Sequence, residues 1–120
     1  MKNKILLTIL SLLTPLTALA GTGNGLVQIE TIGFAAAADK SLMFFYTENH
    51  ISPPGCASYS GLPSGSKRWA LNMSTELGQQ QYSFLLAAQM RGKKVYITGT
   101  NSCTMWVDAE DVSLMGFLLE

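Results

Sequence analysis

A single helix-forming stretch stands among segments that have the pattern of β-strands, and this arrangement most limits the folds open to the chain. In residues 74–92 the large apolar side chains recur at helical spacing: Tyr82, Leu85, Leu86 and Met90. Gly92 suits the C-terminal cap of such a helix. Gly78 disfavours helix around it, so we expect the helix to begin near Gln79. The alternative is an earlier start capped by one of two hydroxyl residues, Ser74 or Thr75.

Five segments have the composition and the spacing of strands: residues 26–33, 42–47, 67–73, 95–98 and 112–119. The apolar residues of the first segment change face, which predicts a bulge or a strong bend. The second and the fifth are apolar on both faces, which predicts burial on both sides. The third has two alternating faces, one with Trp69, Leu71 and Met73, the other with Arg68, Ala70 and Asn72. This alternation predicts a half-buried strand. Residues 104–107 are a further short candidate.

The order of these elements is strand, strand, strand, helix, strand, strand. A five-stranded oligonucleotide/oligosaccharide-binding (OB) barrel has this order, with its helix between the third and fourth strands. The bent first strand suits the same fold. We therefore expect a mainly β protein with one helix and an OB-fold-like barrel. The alternative is an irregular α+β sheet with the helix across one face.

The beginning of the chain has the three parts of a secretory signal peptide. Lys2 and Lys4 give a positive start, an apolar run covers residues 5–13, and a small-x-small motif ends at Ala20. We expect cleavage between Ala20 and Gly21. The alternative is an N-terminal membrane anchor, but the run is shorter than the roughly 20 residues of a spanning helix.

Cleavage at this point leaves a single domain of residues 21–120, with residues 21–25 as a flexible start. The pattern predicts a bacterial Sec-type signal and a secreted or periplasmic protein. In such a compartment the two cysteines, Cys56 and Cys103, are expected to form a disulfide bond. Two free thiols are the alternative.

The residue inventory gives little support to catalysis. The full chain has 8 basic and 8 acidic residues and one histidine, His50. The balanced charge argues against a basic stripe that binds nucleic acid. A nucleophilic serine would have His50 as its sole histidine base, and there is no G-x-S-x-G motif. We therefore predict no enzyme activity, and no sequence pattern indicates a cofactor or a metal site.

Residues 48–66 are rich in proline, glycine and serine and are predicted to be a long loop, which is often functional. Candidate ligand-binding residues lie in or beside it: Tyr46, Asn49, His50, Ser58 and Tyr59. For His50 we favour the plainer interpretation of a solvated loop residue. Trp69 is expected in the core rather than on a ligand, whereas Trp106 is less constrained.

Three carboxylates lie close together near the end of the chain, in a segment that contains Asp108, Glu110 and Asp111. Their spacing would in principle allow them to coordinate calcium. No glycine-centred calcium-loop pattern accompanies them. A solvated acidic turn is therefore the preferred interpretation.

The stretch YSFLLAAQMRGKKVYITG, residues 82–99, resembles the helix-to-strand region of the subtilase cytotoxin B-like family. Its order relative to Cys56, Trp69 and Cys103 strengthens the resemblance, which extends over residues 24–119. These are small exported domains that resemble the binding subunits of toxins with one catalytic and five binding subunits. The resemblance implies a barrel fold, a disulfide bond, ring assembly and recognition of a cell-surface glycan, with any catalytic subunit on a separate chain.

The last strand also favours self-association. Its two apolar faces are Val112, Leu114 and Leu118 on one side, and Met115, Phe117 and Leu119 on the other. One face fills the barrel and the second needs a cover, because large open apolar patches are uncommon. We expect Met115, Phe117 and Leu119 at the interface of a homo-oligomer, for which the resemblance favours a pentamer. Two functions follow: a glycan-binding module, or a structural or inhibitory protein that binds another protein.

Overall fold

A computed structural model describes residues 20–35 and 40–119, so the predicted signal peptide, residues 1–20, lies outside them except for its last residue. The elements in chain order are β1 (Thr22–Ala35), β2 (Lys40–Ile51), β3 (Trp69–Asn72), α1 (Glu76–Arg91), β4 (Val95–Gly99) and β5 (Glu110–Phe117). A 3-10 turn at Pro63–Gly65 interrupts the loop before β3. The protein is therefore mainly β with one helix, as the sequence predicts.

The five strands form one sheet that closes in a ring, in the order β1-β2-β3-β5-β4 and back to β1. The β3–β5 pairing is parallel and the other pairings are antiparallel. Inward-facing side chains of the ring pack with two residues of α1 into one core: Val27, Met43, Phe45, Trp69, Leu71, Leu85, Ala88, Val95 and Ile97.

Strand β1 begins at Thr22, so the prediction that residues 21–25 are flexible is wrong. The glycines of this segment let the strand run close to bulky groups. A Cβ on Gly23 would lie 2.7 Å from Thr47 Oγ1 and 2.9 Å from the Trp69 ring. The predicted irregularity of this strand is confirmed, because its register with β2 shifts twice, between Asn24 and Val27 and between Ile29 and Thr31.

Strand β2 is twice as long as predicted and runs to Ile51, because its second half pairs with the early part of β1. The start of the predicted loop, including Asn49 and His50, is therefore strand. Burial on both sides is confirmed: Met43 and Phe45 belong to the core, whereas Leu42 and Phe44 pack in a second cluster with Ala70 and Ala109.

Strand β3 is buried on both faces, so the prediction of a half-buried strand is wrong. Trp69 and Leu71 face the core as expected, but Ala70 is buried in the second cluster. Met105 and Trp106 pack against that cluster, with the Trp106 ring edge-on to Phe44 at 6.0 Å. The predicted strand over residues 104–107 is reduced to a single bridge between Trp106 and Ala109.

Helix α1 begins at Glu76, three residues earlier than expected, with Thr75 as its N-cap. The Thr75 hydroxyl accepts the Gly78 N–H at 3.0 Å. Gly78 lies in the first turn of the helix, and a glycine is needed there because a Cβ would overlap the backbone oxygen of Asn72. Gly92 ends the helix in the left-handed region, at φ 62°, as predicted.

The apolar residues that recur at helical spacing in the sequence are not all buried in the structure. Leu85 is fully buried in the core, whereas Met90 is 78 % exposed. We expect Leu85→Ala to lower the free energy of unfolding by about 2–5 kcal/mol. Met90→Ala is the matched control and should leave it nearly unchanged. Urea unfolding followed by circular dichroism measures both; equal losses would mean that the helix packs by another face.

Candidate functional site

The outer side of the sheet carries a row of polar and aromatic residues that crosses four strands. Asn49 on β2 pairs with Asn24 on β1, Asn24 pairs with Tyr96 on β4, and Tyr96 pairs with Gly116 on β5. Directly paired residues lie on the same face of a sheet. The two neighbours of Tyr96 along β4 are buried in the core, so this row points outward.

The Tyr96 ring lies across Gly116. A Cβ on Gly116 would be 2.7 Å from the Cε1, Cζ and Oη atoms of Tyr96, so only glycine lets the ring come down on β5. Tyr96 nevertheless stays 39 % exposed. The ring therefore lies on the backbone of β5 and stays open to a ligand, and its hydroxyl group lies beside Gly116.

Beside this ring, two amide side chains are joined to each other. Asn49 Nδ2 donates to Asn24 Oδ1 at 2.8 Å in an exposed position. An amide has two N–H donors and one carbonyl acceptor. The bond therefore leaves the Asn49 carbonyl and the Asn24 amino group for other partners, so this part of the surface offers both an acceptor and donors.

A second row of paired residues lies beside the first, and we call the two rows together the outer face. The second row consists of Ile51, Thr22, Thr98 and Leu114, paired in that order across the same four strands. Ile51 is 51 % exposed and Leu114 is 54 % exposed. The outer face therefore joins two threonines, two asparagines and a tyrosine with apolar residues at its margins.

Behind the outer face, the polar side chains are buried and paired with one another. The His50 side chain is only 1 % exposed, and its ring stacks on Trp69 with the centroids 3.8 Å apart. Its Nε2 lies 2.9 Å from Glu110 Oε1, and its Nδ1 lies 3.2 Å from the Lys67 carbonyl oxygen. The interpretation of His50 as a solvated loop residue is wrong, because β2 extends far enough to carry it into this cluster.

Glu110 is the centre of the buried cluster, and its side chain is fully inaccessible. Its Oε2 accepts the backbone N–H groups of Gly21 and Asn101, each at 3.0 Å. A buried carboxylate is tolerated when such donors surround it. The cluster thereby ties the beginning of β1 to the beginning of β5.

Asp111 is also buried, and it orders the loop before β5. It accepts the N–H groups of Thr104 and Met105, with donor–acceptor distances of 3.0 Å to its two oxygens, and also the Ser102 hydroxyl. The prediction of a solvated acidic turn is therefore wrong for Glu110 and Asp111, since β5 starts at Glu110 rather than at residue 112. Over residues 20–35 and 40–119, no group of three or more potential metal ligands comes together.

Asp108 has a different role. Its Oδ1 accepts from Arg68 Nη2 at 2.8 Å, and the Arg68 guanidinium is stacked between two rings, 3.8 Å from Tyr59 and 4.2 Å from Phe44. Arginine stacks well on aromatic faces. Tyr59 therefore packs on a buried cation.

The disulfide between Cys56 and Cys103 is confirmed, with a Cα–Cα distance of 6.1 Å. It joins the loop that precedes β3 to the loop that precedes β5. Both cysteines of the chain are used, so none is free in the part of the chain that the structure covers.

The five candidate ligand residues do not form one site. Asn49 lies on the outer face, His50 is in the buried cluster, and Tyr59 packs on the buried guanidinium. Ser58 is exposed in the loop, and Tyr46 is partly buried on β2. The ligand-binding role of these residues stays a prediction.

The residues expected at an interface also differ in their surroundings. Met115 packs against the core, and Phe117 contacts Phe84 of α1 with ring centroids 4.5 Å apart. Leu119 is 93 % exposed. Met115 and Phe117 therefore partly cover the helix side of the sheet, and their place at an interface stays a prediction.

Sequence reasoning did not single out Tyr96 and Asn24 as a pair. The alternation of apolar and polar residues in β4 would have placed Tyr96 outward. Asn24 lies between two glycines in the segment expected to be flexible, and its strand register became visible only with β1 complete.

Comparison with known proteins finds no matching family model, no curated protein and no solved structure. Of the helices in the described residues, none is long and apolar enough to cross a membrane.

Proposed function

We propose that this chain is an exported, non-catalytic binding module, with a fold of the OB type, whose outer face binds a glycan. The single observation that carries the glycan proposal is the Asn49–Asn24–Tyr96 row with its supporting glycine, Gly116. The fold, the export and the lack of catalysis are each supported by other residues.

The OB type is supported by the way the ring closes. The helix lies between the third and fourth strands, and the first strand is bulged and shared between β2 and β4. OB folds are five-stranded barrels that use one sheet face and its loops to bind oligosaccharides or oligonucleotides. The outer face is likewise a surface of the sheet, although it runs across β2, β1, β4 and β5.

Export is supported by the leader pattern and by the disulfide. A bond between cysteines 47 residues apart persists in an oxidising compartment.

The proposal that the chain is non-catalytic is supported by His50. Its two ring nitrogens already face Glu110 and Lys67, and its ring faces Trp69, so it is poorly placed to act as a base for a substrate.

A glycan suits the outer face for two reasons. The apolar C–H face of a sugar ring can pack on the exposed ring of Tyr96, which is a rigid aromatic surface. Sugar hydroxyls both donate and accept hydrogen bonds, as do the remaining groups of Asn24 and Asn49. None of the residues that form the outer face carries a charge, which favours a neutral sugar over a phosphate.

We expect a glycan array probed with the mature protein to give specific hits. Tyr96→Ala should weaken binding of the best hit by roughly tenfold or more, since about 1.4 kcal/mol of packing is lost. Tyr96→Phe is the matched control, because it keeps the ring and should retain most of the affinity. Titration calorimetry measures both. Equal binding by wild type and Tyr96→Ala would place the sugar elsewhere.

A second candidate function is binding to another protein, which the half-exposed Ile51 and Leu114 favour.

The family resemblance implies self-assembly into a ring together with a separate catalytic chain. Such a ring would use the exposed end of β5 and Leu119. We expect light scattering to give a mass several times that of one mature chain, and Leu119→Asp to lower it. A single-chain mass at micromolar concentration would contradict assembly and leave the glycan proposal standing.

A further inference from the structure

The predicted cleavage point, between Ala20 and Gly21, lies within hydrogen-bond distance of the buried Glu110 carboxylate. Gly21, the residue that would follow cleavage, is buried, and its nitrogen lies 3.0 Å from Glu110 Oε2. Its carbonyl oxygen accepts the Gly99 N–H at 2.8 Å. The backbone of Gly21 is thus held on both sides, by Gly99 of β4 and by Glu110 of β5.

There is no room for a side chain at Gly21. A Cβ on this residue would overlap Glu110 Oε1 and lie 2.9 Å from His50 Nε2. A residue with a side chain would force the carboxylate and the imidazole apart. The close approach of the Gly21 nitrogen to Glu110 therefore requires glycine at this position.

The charges around Glu110 are few. From β2 the imidazole of His50 faces it, and from the loop before β5 the Asn101 N–H faces it. Lys67 presents its carbonyl oxygen to His50, while its ammonium donates to a loop carbonyl at 3.4 Å. Among the described residues, the Gly21 nitrogen is the remaining hydrogen-bond donor to Glu110, and in the unprocessed chain it is an uncharged amide.

We propose that cleavage between Ala20 and Gly21 turns this nitrogen into a buried ammonium that pairs with Glu110, so that removal of the leader completes the polar cluster. A leader peptidase adds water across the peptide bond. The hydroxyl goes to the Ala20 carbonyl carbon, and the Gly21 nitrogen takes the hydrogen and one further proton. This inference rests on the proposed export and not on glycan binding.

The consequence is that processing stabilises the fold. A carboxylate inside a protein gains from an opposite charge at hydrogen-bond distance when the donors around it are already in place. The Gly21 ammonium needs no movement to make this pair. A chain that starts one residue earlier keeps an uncharged amide at Gly21 and carries its ammonium on Ala20 instead.

The test compares two forms of the chain that differ by one residue, one starting at Gly21 and the other at Ala20. Each is released from a fusion by a protease that cuts directly before its first residue, and each contains every strand and the helix described above. We expect the Gly21 form to melt at least about 5 °C higher, a shift that corresponds to roughly 1 kcal/mol in a domain of this size. In the Glu110→Gln background this difference should largely vanish. Equal melting of the two wild-type forms would overturn the proposal.

Should Glu110→Gln fail to fold, labelling with an amine-reactive ester gives the second readout. The amino group of the Gly21 form should react at least tenfold more slowly in the folded protein than in urea, whereas that of the Ala20 form should react readily in both. Equal protection of the two would overturn the pair. Mass spectrometry of exported protein tests the processing step separately, and a first residue other than Gly21 would overturn it, whatever the glycan array shows.

Discussion

Glu110→Ala should lower the free energy of unfolding by about 3–5 kcal/mol, because each buried donor left without its acceptor costs about 1–3 kcal/mol and this carboxylate serves several donors. The substitution takes away the acceptor of three groups at once: the N–H of Gly21, the N–H of Asn101 and the His50 imidazole. These groups come from three separate parts of the chain, and all lose the same fully buried partner.

The measurement is equilibrium unfolding in urea at neutral pH. Glu76→Ala is the matched control, since Glu76 is an exposed carboxylate in the first turn of α1 and should change the unfolding free energy little. A loss for Glu110→Ala no larger than for Glu76→Ala would show that the Glu110 carboxylate is hydrated and lies outside a buried cluster.

Removal of the disulfide should have an effect of similar size. The Cys56–Cys103 bond closes a loop with a sequence separation of 47, and the double variant Cys56→Ser, Cys103→Ser should lose about 4 kcal/mol in the chain-entropy model. The bond also joins the loop before β3 to the loop before β5, whose Met105 and Trp106 pack against the second cluster. Loosening them exposes that cluster.

Urea unfolding of the oxidised wild type and of the double variant measures this loss. Alkylation of the native protein without reductant is the control, and it should label neither cysteine. Two labelled thiols in protein exported by its host would contradict the bond, and an unchanged unfolding midpoint in the variant would show that the loops are held by other contacts, such as those of Asp111 with Thr104 and Met105.

The features that could be predicted well from the sequence are those with local causes. Alternation of side chains placed Trp69 and Leu71 on the core face, and the apolar run of β2 indicated burial on both sides. Gly92 marked the end of α1 because a left-handed residue there is a local requirement. The face change in β1 marked the bulges of that strand.

The features that could not be predicted depend on residues far apart in the chain. Gly21 and Gly23 were expected to be flexible, yet the missing side chain of each makes room for Glu110 or Trp69. The hydrogen bond from Gly21 to Glu110 spans 89 residues. Glu110 was expected to be solvated because charged residues are mostly exposed, and no local pattern reports a partner so distant.

The candidate site was missed for the same reason. Tyr96 and Asn24 lie in different strands far apart in the chain, and only the pairing of β1 with β4 brings them into one row. The role of Gly116 as the floor of the Tyr96 ring depends in turn on the register of β4 with β5. Neither register is encoded in a single segment.

Binding of a glycan to the outer face is tested by ¹H–¹⁵N NMR of the mature protein titrated with the strongest hit of the array. We predict saturable shifts in the amide signals of Asn24, Asn49, Tyr96 and Gly116 and in the side-chain amides of both asparagines, with little change elsewhere. The contradicting result is saturable binding whose shifts lie instead at the groove between the end of α1 and the end of β5, or no shift on the outer face at a saturating sugar concentration.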